Sequence, residues 1–164
     1  KDLKPIPGRM EKFTGERGSA AAVVDFAHTE QALRACLGAS RQHTEGLLWC
    51  VFGCGGDRDQ GKRSGMGRAV EELADRVIVT DDNPRNESPE KIVSEILAGM
   101  KHPDQACVVH NRQAAIEYAL SQAAAEDLVV ITGKGHEQEQ IVGNERRPFS
   151  DRHVVRRILQ VKHD

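Results

Sequence analysis

Arg76-Val77-Ile78-Val79-Thr80-Asp81-Asp82-Asn83-Pro84-Arg85 is the stretch on which the reading of the fold turns. An apolar, β-rich run breaks into two carboxylates, an amide, a proline and a guanidinium, the pattern of a strand that ends on a polar loop. Pro84 holds its own φ and pushes Asn83 towards extended backbone, so the polar side chains sit on a stiffened turn. Arg85 then presents a planar fork that suits a carboxylate. The same residues would also serve an ordinary strand-to-helix turn in which Asp and Asn cap backbone groups. The rest of the chain has to decide between the two.

Working outward, strand and helix patterns alternate on both sides. Upstream, Ala20 to Phe26 is a short β run weakened by its alanines, and Thr29 caps a helix with Leu33, Cys36, Leu37 and Ser40 at helical spacing. Leu47 to Phe52 reads as a buried strand, and Met66, Val70, Leu73 and Ala74 form the stripe of a second helix. Downstream, Ser88-Pro89-Glu90 opens a helix with a hydroxyl cap, a first-turn proline and an acid near the positive dipole end. Ile92, Val93, Ile96, Leu97 and Met100 are its inner face. Ala106 to Val109 is a fourth strand, Asn111 caps a helix carrying Ile116, Ala119, Leu120 and Ala123, and Leu128 to Ile131 is a fifth strand. Beyond Gly135 the pattern changes to a hairpin, Gln138–Val142 and Glu145–Phe149 about a Gly143-Asn144 turn. Ser150 caps a last helix with Val154, Val155, Ile158 and Leu159 inward. Five alternations predict an α/β fold: a doubly wound, mostly parallel Rossmann-like sheet with helices on both faces, the hairpin adding an antiparallel edge. Residues 1–18, with two prolines, three glycines and no period, read as a connector from a longer chain, and 19–164 as the domain.

At 164 residues the domain is long enough for a real core. Lys+Arg 23 against Asp+Glu 25 leaves a net charge of −2, so no field favours nucleic acid or an anionic membrane, and 4% aromatics leave little for base stacking. No run approaches membrane-spanning length and no signal peptide is visible, which with four cysteines lacking any Cys-x-x-Cys spacing suits a cytoplasmic protein with reduced core thiols.

In open α/β sheets ligands bind outside the carboxyl ends of the strands. Four glycine- and charge-rich loops fall there: Asp25 to His28, Gly53 to Arg63, Asp81 to Arg85, and Gly133 to Glu137. Gly56-x-x-x-x-Gly61-Lys62 nearly spells a phosphate-binding loop, but Arg63 stands where that motif needs a hydroxyl, and Asp57 and Asp59 put negative charge in the cradle. Arg58 is better read as a carboxylate clamp. Arg58 and Arg85 for carboxylates, with Asp82 and Glu137 for ammonium groups, suit an amino acid with more than one charged end. Asp25 would take a ribose hydroxyl pair or cap the helix that follows; His28 and His136 are assigned no role.

Gly8-Arg9-Met10-Glu11, Val24 to Thr29, Phe52 to Arg63, Asp82-Asn83-Pro84-Arg85, Gly133 to Glu137 and Phe149-Ser150-Asp151-Arg152, in that order, resemble the carboxy-terminal domain of a Mur ligase. The resemblance implies one part of a three-domain, ADP-forming acid–amino-acid ligase that uses ATP and Mg2+, activates a carboxylate as an acyl phosphate and couples it to an amine. The Asp-Asn-Pro-Arg motif implies the branch adding meso-diaminopimelate to UDP-N-acetylmuramoyl-L-alanyl-D-glutamate in peptidoglycan synthesis. It assigns Arg58, Asp82, Asn83, Arg85, Gly133 and Glu137 to diaminopimelate, with Arg85 on the carboxylate that lysine lacks, and Arg9 and Asp25 to ATP phosphate and ribose. Phe26 replaces the usual tyrosine, Glu30 and Ser64 usual prolines, all outside that clamp. The family's phosphate loop, magnesium ligands and modified lysine belong to a central domain with no counterpart here, so the chain alone is expected to bind no cofactor and to be inactive. The alternatives are a stand-alone nucleotide- or amino-acid-binding module, or another ligase of the superfamily such as a folylpolyglutamate synthetase.

Overall fold

The computed structural model describes residues 8–16 and 18–161. Its elements run β1 (Glu11–Phe13), β2 (Ala21–Asp25), α1 (Glu30–Arg41), β3 (Leu48–Phe52), α2 (Lys62–Leu73), β4 (Arg76–Val79), α3 (Pro89–Leu97), a 3-10 turn (Pro103–Gln105), β5 (Cys107–Val108), α4 (Arg112–Gln122), β6 (Leu128–Thr132), β7 (Glu139–Val142), β8 (Glu145–Pro148) and α5 (Asp151–Leu159). The main sheet has the order β1-β2-β6-β3-β4-β5, with every pair parallel except β1 on β2.

Side-chain alternation along the strands builds two cores. Val23, Cys50, Phe52, Val79 and Val130 point to the layer of α1, α2 and α3; Val24, Trp49, Val51, Ile78 and Ile131 point to α4 and α5. Burying each aliphatic side chain contributes roughly 1.5–3 kcal/mol. β3 and β6 are buried along their whole length, as a parallel strand covered on both faces must be. The four expected hydroxyl and amide caps are in place: Thr29, Ser88, Asn111 and Ser150 accept from the backbone N–H three residues on.

The antiparallel edge differs from the expectation. It is β1, inside the stretch read as a connector, that pairs with β2 (Glu11 opposite Val24, Phe13 opposite Ala22). The hairpin instead closes on itself as a separate two-stranded sheet, Glu139 opposite Pro148 and Val142 opposite Glu145. β1 was missed because three residues, two of them charged, carry no period; it is a strand because β2 offers an open edge and Phe13 fills the α5 side of the core. The hairpin cannot extend the sheet because it is bonded to the loop after β4, Arg85 bridging Val142.

β6 lies between β2 and β3, with α1 leaving on one face and α4 returning on the other. That reversal opens a crevice at the carboxyl ends of these strands.

Candidate functional site

A cavity of about 290 Å³ occupies this crevice, lined by Phe26 and His28 after β2, Gly53, Cys54, Gly55 and Arg58 after β3, Asp82, Asn83 and Arg85 after β4, and Gly133 and Glu137 after β6, with Lys62 and Met66 of α2. All six residues assigned to the amino acid therefore meet in one cavity, contributed by three loops. Neither Arg9 nor Asp25 lines it.

The loops are pressed together at backbone distance. A Cβ on Gly53 would strike the Thr80 carbonyl and one on Gly56 the Pro84 carbonyl. Gly56 N–H donates to Asn83 O (2.8 Å), closing the gap between the β3 and β4 loops. Beneath them Arg63, fully buried, donates to Glu87 (2.9 and 3.1 Å), Glu95 (2.6 Å) and Gly55 O (3.1 Å). Arg63 sits in the first turn of α2 as a brace under the glycine loop. Some of the loop's amides are turned to its own neighbours: Asp57 N–H donates to Glu87 (2.7 Å) and Gly61 N–H to Asp59 (2.9 Å).

Arg85 adopts φ +52°, left-handed backbone that a residue with a Cβ rarely takes. Three contacts hold it: its N–H donates to Ile141 O (3.1 Å), its carbonyl accepts from Gly143 N–H (2.7 Å), and its guanidinium donates to Gly56 O (2.8 Å). The hairpin reaches further along the same loop, Gln140 donating to Asp82 O (2.7 Å) and Ile141 N–H to Asn83 Oδ1 (2.9 Å). Its place in the fold is to hold the Asp-Asn-Pro-Arg loop over the cavity. Arg58 is exposed at the mouth.

Asn83 is buried and its polar atoms are turned inward. Oδ1 accepts from Lys134 Nζ (2.9 Å) and Ile141 N–H, and Nδ2 donates to Glu137 Oε2 (3.0 Å). Glu137 Oε2 also accepts from Lys134 Nζ (2.8 Å). Burial pushes the Glu137 carboxyl up, but Lys134, Asn83 and Arg112 outweigh it and hold the group below the usual carboxylate range. Asp82 goes the other way: burial raises it, only partly opposed by Arg112 and Lys134, and its carboxylate has no ion pair among the described residues. A Cβ on Gly133 (φ +111°) would lie 2.6 Å from Asp82 Oδ2, so only glycine leaves this carboxylate its space. The surroundings thus shift the two acids of the cavity in opposite directions.

Three cations in this architecture had no assigned role: Lys134, Arg112 and Arg63, all fully buried. Lys134 stood in plain view between its glycines, but nothing local distinguishes a buried lysine from a solvated one. Arg112 follows the Asn111 cap, and its partner Asp151 belongs to the Phe149-to-Arg152 motif, which is the one signal that could have drawn attention to it.

Arg9 is exposed on the turn ahead of β1. Asp25 does not cap α1, whose cap is Thr29. Its carboxylate accepts from Met10 N–H (2.9 Å) and Ala27 N–H (2.8 Å), fastening the Arg9 turn to the end of β2. Phe26 stacks with His136 (centroids 6.0 Å) and meets His28 edge-on (4.7 Å). Burial pushes the thiols of Cys36 and Cys54 up to about 12, as inert core cysteines require. Among the described residues no group of three or more His, Cys, Asp and Glu is arranged to hold a metal, and no helix is long and apolar enough to cross a membrane.

Residues 8–135 match the family described as Mur ligase, glutamate ligase domain. The chain is 48% identical over 160 residues to UDP-N-acetylmuramoyl-L-alanyl-D-glutamate–2,6-diaminopimelate ligase of Vibrio cholerae serotype O1 (strain ATCC 39315 / El Tor Inaba N16961), covering 98% of this chain and 32% of that protein. A solved structure of a ligase of the same name superposes with TM-score 0.88 at 41% identity, over 99% of this chain and 33% of that one. Mycobacterium tuberculosis folylpolyglutamate synthase, solved with ADP and AMPPCP, gives TM-score 0.60 at 25% identity over 79% of this chain and 30% of that one. The chain therefore spans about a third of the length of the relatives it matches. By residues 8–135, more than three quarters of its length, the chain belongs to the Mur ligase family through its glutamate ligase domain.

Proposed function

We propose that this chain is the amino-acid-binding, carboxy-terminal domain of a cytoplasmic ATP-dependent ligase that adds meso-diaminopimelate to UDP-N-acetylmuramoyl-L-alanyl-D-glutamate. The observation that carries the reading is the convergence of Arg58, Arg85, Asp82 and Glu137 on one cavity. Two cations and two anions complement a molecule with two carboxylates and two ammonium groups, and charges taken out of water must be paired. Arg85, clamped at its strained backbone, receives the distal carboxylate; Arg58 at the mouth receives the other. Asp82 and Glu137 take the ammonium groups. Gly133 gives the ligand access to the backbone, and Asn83 lines the cavity while its amide braces the loops.

ATP, when bound, supplies the energy to activate the nucleotide substrate's carboxylate. Arg9 would face its phosphates. Asp25, with both oxygens engaged by backbone amides, would reach a ribose only through remaining lone pairs, and its first task is to hold the Arg9 turn. Magnesium ligands would come from elsewhere in the ligase, and residues 19–164 together with β1 form the folded unit that delivers the amino acid.

The test is Arg85→Ala in the full-length ligase carrying this chain. The KM for meso-diaminopimelate is expected to rise at least about 100-fold, because a site built to pair a charge rejects poorly paired ligands, while the KM for ATP changes less than about 2-fold. Equal losses for both substrates, or equal use of lysine by the unmodified enzyme, would overturn the reading.

A further inference from the structure

The Glu137 carboxylate is held asymmetrically. Oε2 accepts both Lys134 Nζ (2.8 Å) and Asn83 Nδ2 (3.0 Å), while Oε1 has no protein donor among the described residues. Lys134 is itself fully buried, and its second hydrogen bond goes to Asn83 Oδ1 (2.9 Å). Asn83 Oδ1 also takes the Ile141 N–H, so the amide cannot flip without setting its NH2 against an ammonium and a backbone donor. The three side chains lock one another: the lysine fixes the amide, and both fix one oxygen of the acid.

We infer that Lys134 is a positioning residue for amino-acid recognition, anchoring one oxygen of Glu137 so that the other is presented, ionised and oriented, to a substrate ammonium group. This rests on the amino-acid-binding reading of the cavity. A lysine in a pocket for a cationic group would ordinarily repel it. Here its charge is taken up by two acceptors, Asn83 Oδ1 and Glu137 Oε2, and Lys134 does not itself line the cavity. Burial of the Lys134 ammonium makes the arrangement stiff, since it has no water to take in place of its two partners. Gly133 and Gly135, at φ +111° and +55°, give the short loop the reversal that turns the intervening lysine inward. The charged groups around Glu137 are Lys134 from its own loop, Arg112 from α4 and Asp82 from the β4 loop.

The role is separable from mere stability because it acts through one carboxylate. In the chain itself, the Glu137 side-chain carbon is followed by NMR against pH in the unmodified protein and in Lys134→Met. The inference requires its midpoint to lie below that of an ordinary glutamate and to rise on substitution. In the full-length ligase, Lys134→Met is expected to raise the KM for meso-diaminopimelate about 10- to 100-fold, the scale of a lost hydrogen bond to a charged group, with the KM for ATP within about 2-fold. Combined with Glu137→Gln it should add nothing to the effect of Glu137→Gln alone. Multiplicative losses in the double variant, equal losses for ATP and amino acid, or an unmoved Glu137 titration would each overturn it. Should Lys134→Met not fold, the unmodified chain still decides: a slowly exchanging Lys134 ammonium signal that responds to Glu137 protonation is required, and its absence refutes the contact. If meso-diaminopimelate proves not to be the substrate while the Glu137 titration behaves as stated, the substrate reading fails and the positioning role stands.

Discussion

Arg112 and Asp151, 39 residues apart in sequence, meet as a fully buried two-pronged ion pair, Nε to Oδ1 and Nη2 to Oδ2 both at 2.8 Å. Nη2 also donates to Thr132 O (2.8 Å) and Nη1 to Asp81 O (3.4 Å). One side chain thus ties the ends of β6 and β4 to the first turn of α5, directly behind the cavity.

Removing one member of this pair should be far more damaging than removing both. Arg112→Met strands the Asp151 carboxylate in the core and is expected to cost about 3–5 kcal/mol, whereas Arg112→Met with Asp151→Leu recovers much of that loss. Urea unfolding of the three proteins checks it, with the midpoint moving and the slope preserved. A single variant as stable as the double one would show that the buried charge is not the cause.

Acid sensitivity should pass through Glu87. Hydrogen bonds from Arg63, offset in part by burial and helped by the Asp57 amide, lower its carboxyl from an ordinary 4.5 to about 2. A folded value below the unfolded one means stability present above pH 4.5 and lost as pH falls towards 2. Glu87→Gln is expected to unfold more easily at pH 7 and to show a shallower decline between pH 4.5 and 2. Parallel decline in both proteins would remove Glu87 from the account.

Asp82 should behave as a group kept at the expense of stability. Its raised carboxyl means the folded chain binds that proton more tightly than the unfolded one, so ionising it disfavours folding once pH rises through the unfolded value of 3.8 and on through the folded one. Asp82→Asn is expected to stabilise the ligand-free chain at pH 7 by on the order of 1 kcal/mol, to be neutral near pH 3, and to abolish the response to meso-diaminopimelate. Thermal unfolding at the two pH values, with an NMR titration of the ligand, measures all three. Destabilisation at pH 7 would mean that Asp82 has a structural partner after all.

The charges that line the cavity were legible in the sequence. Arg58, Asp82, Arg85 and Glu137 are charges placed just past apolar runs, a position that folding alone has little use for. The supporting half was not. Arg63 reaches Glu87 across 24 residues, Arg112 reaches Asp151 across 39 and Lys134 reaches Asn83 across 51. Read locally, each is one more surface cation, and Asn83 reads as a ligand contact although its amide is turned into the protein. The hairpin was found and its turn placed, but it was attached to the wrong neighbour, because the period of a strand says which residues share a face and nothing about which edge they will meet.

From the chain of residues alone come the strand–helix alternation, the caps that start the helices, and the gathering of glycine and charge at strand ends. All of these follow from periods of two and 3.6 and from local backbone chemistry. Tertiary structure alone decided that β1 closes the sheet, that the hairpin clamps the Asp-Asn-Pro-Arg loop, and that three of the cations are buried struts. Those outcomes depend on which groups, distant in sequence, can desolvate together in pairs, and that is settled only when the packed elements bring them within hydrogen-bonding distance.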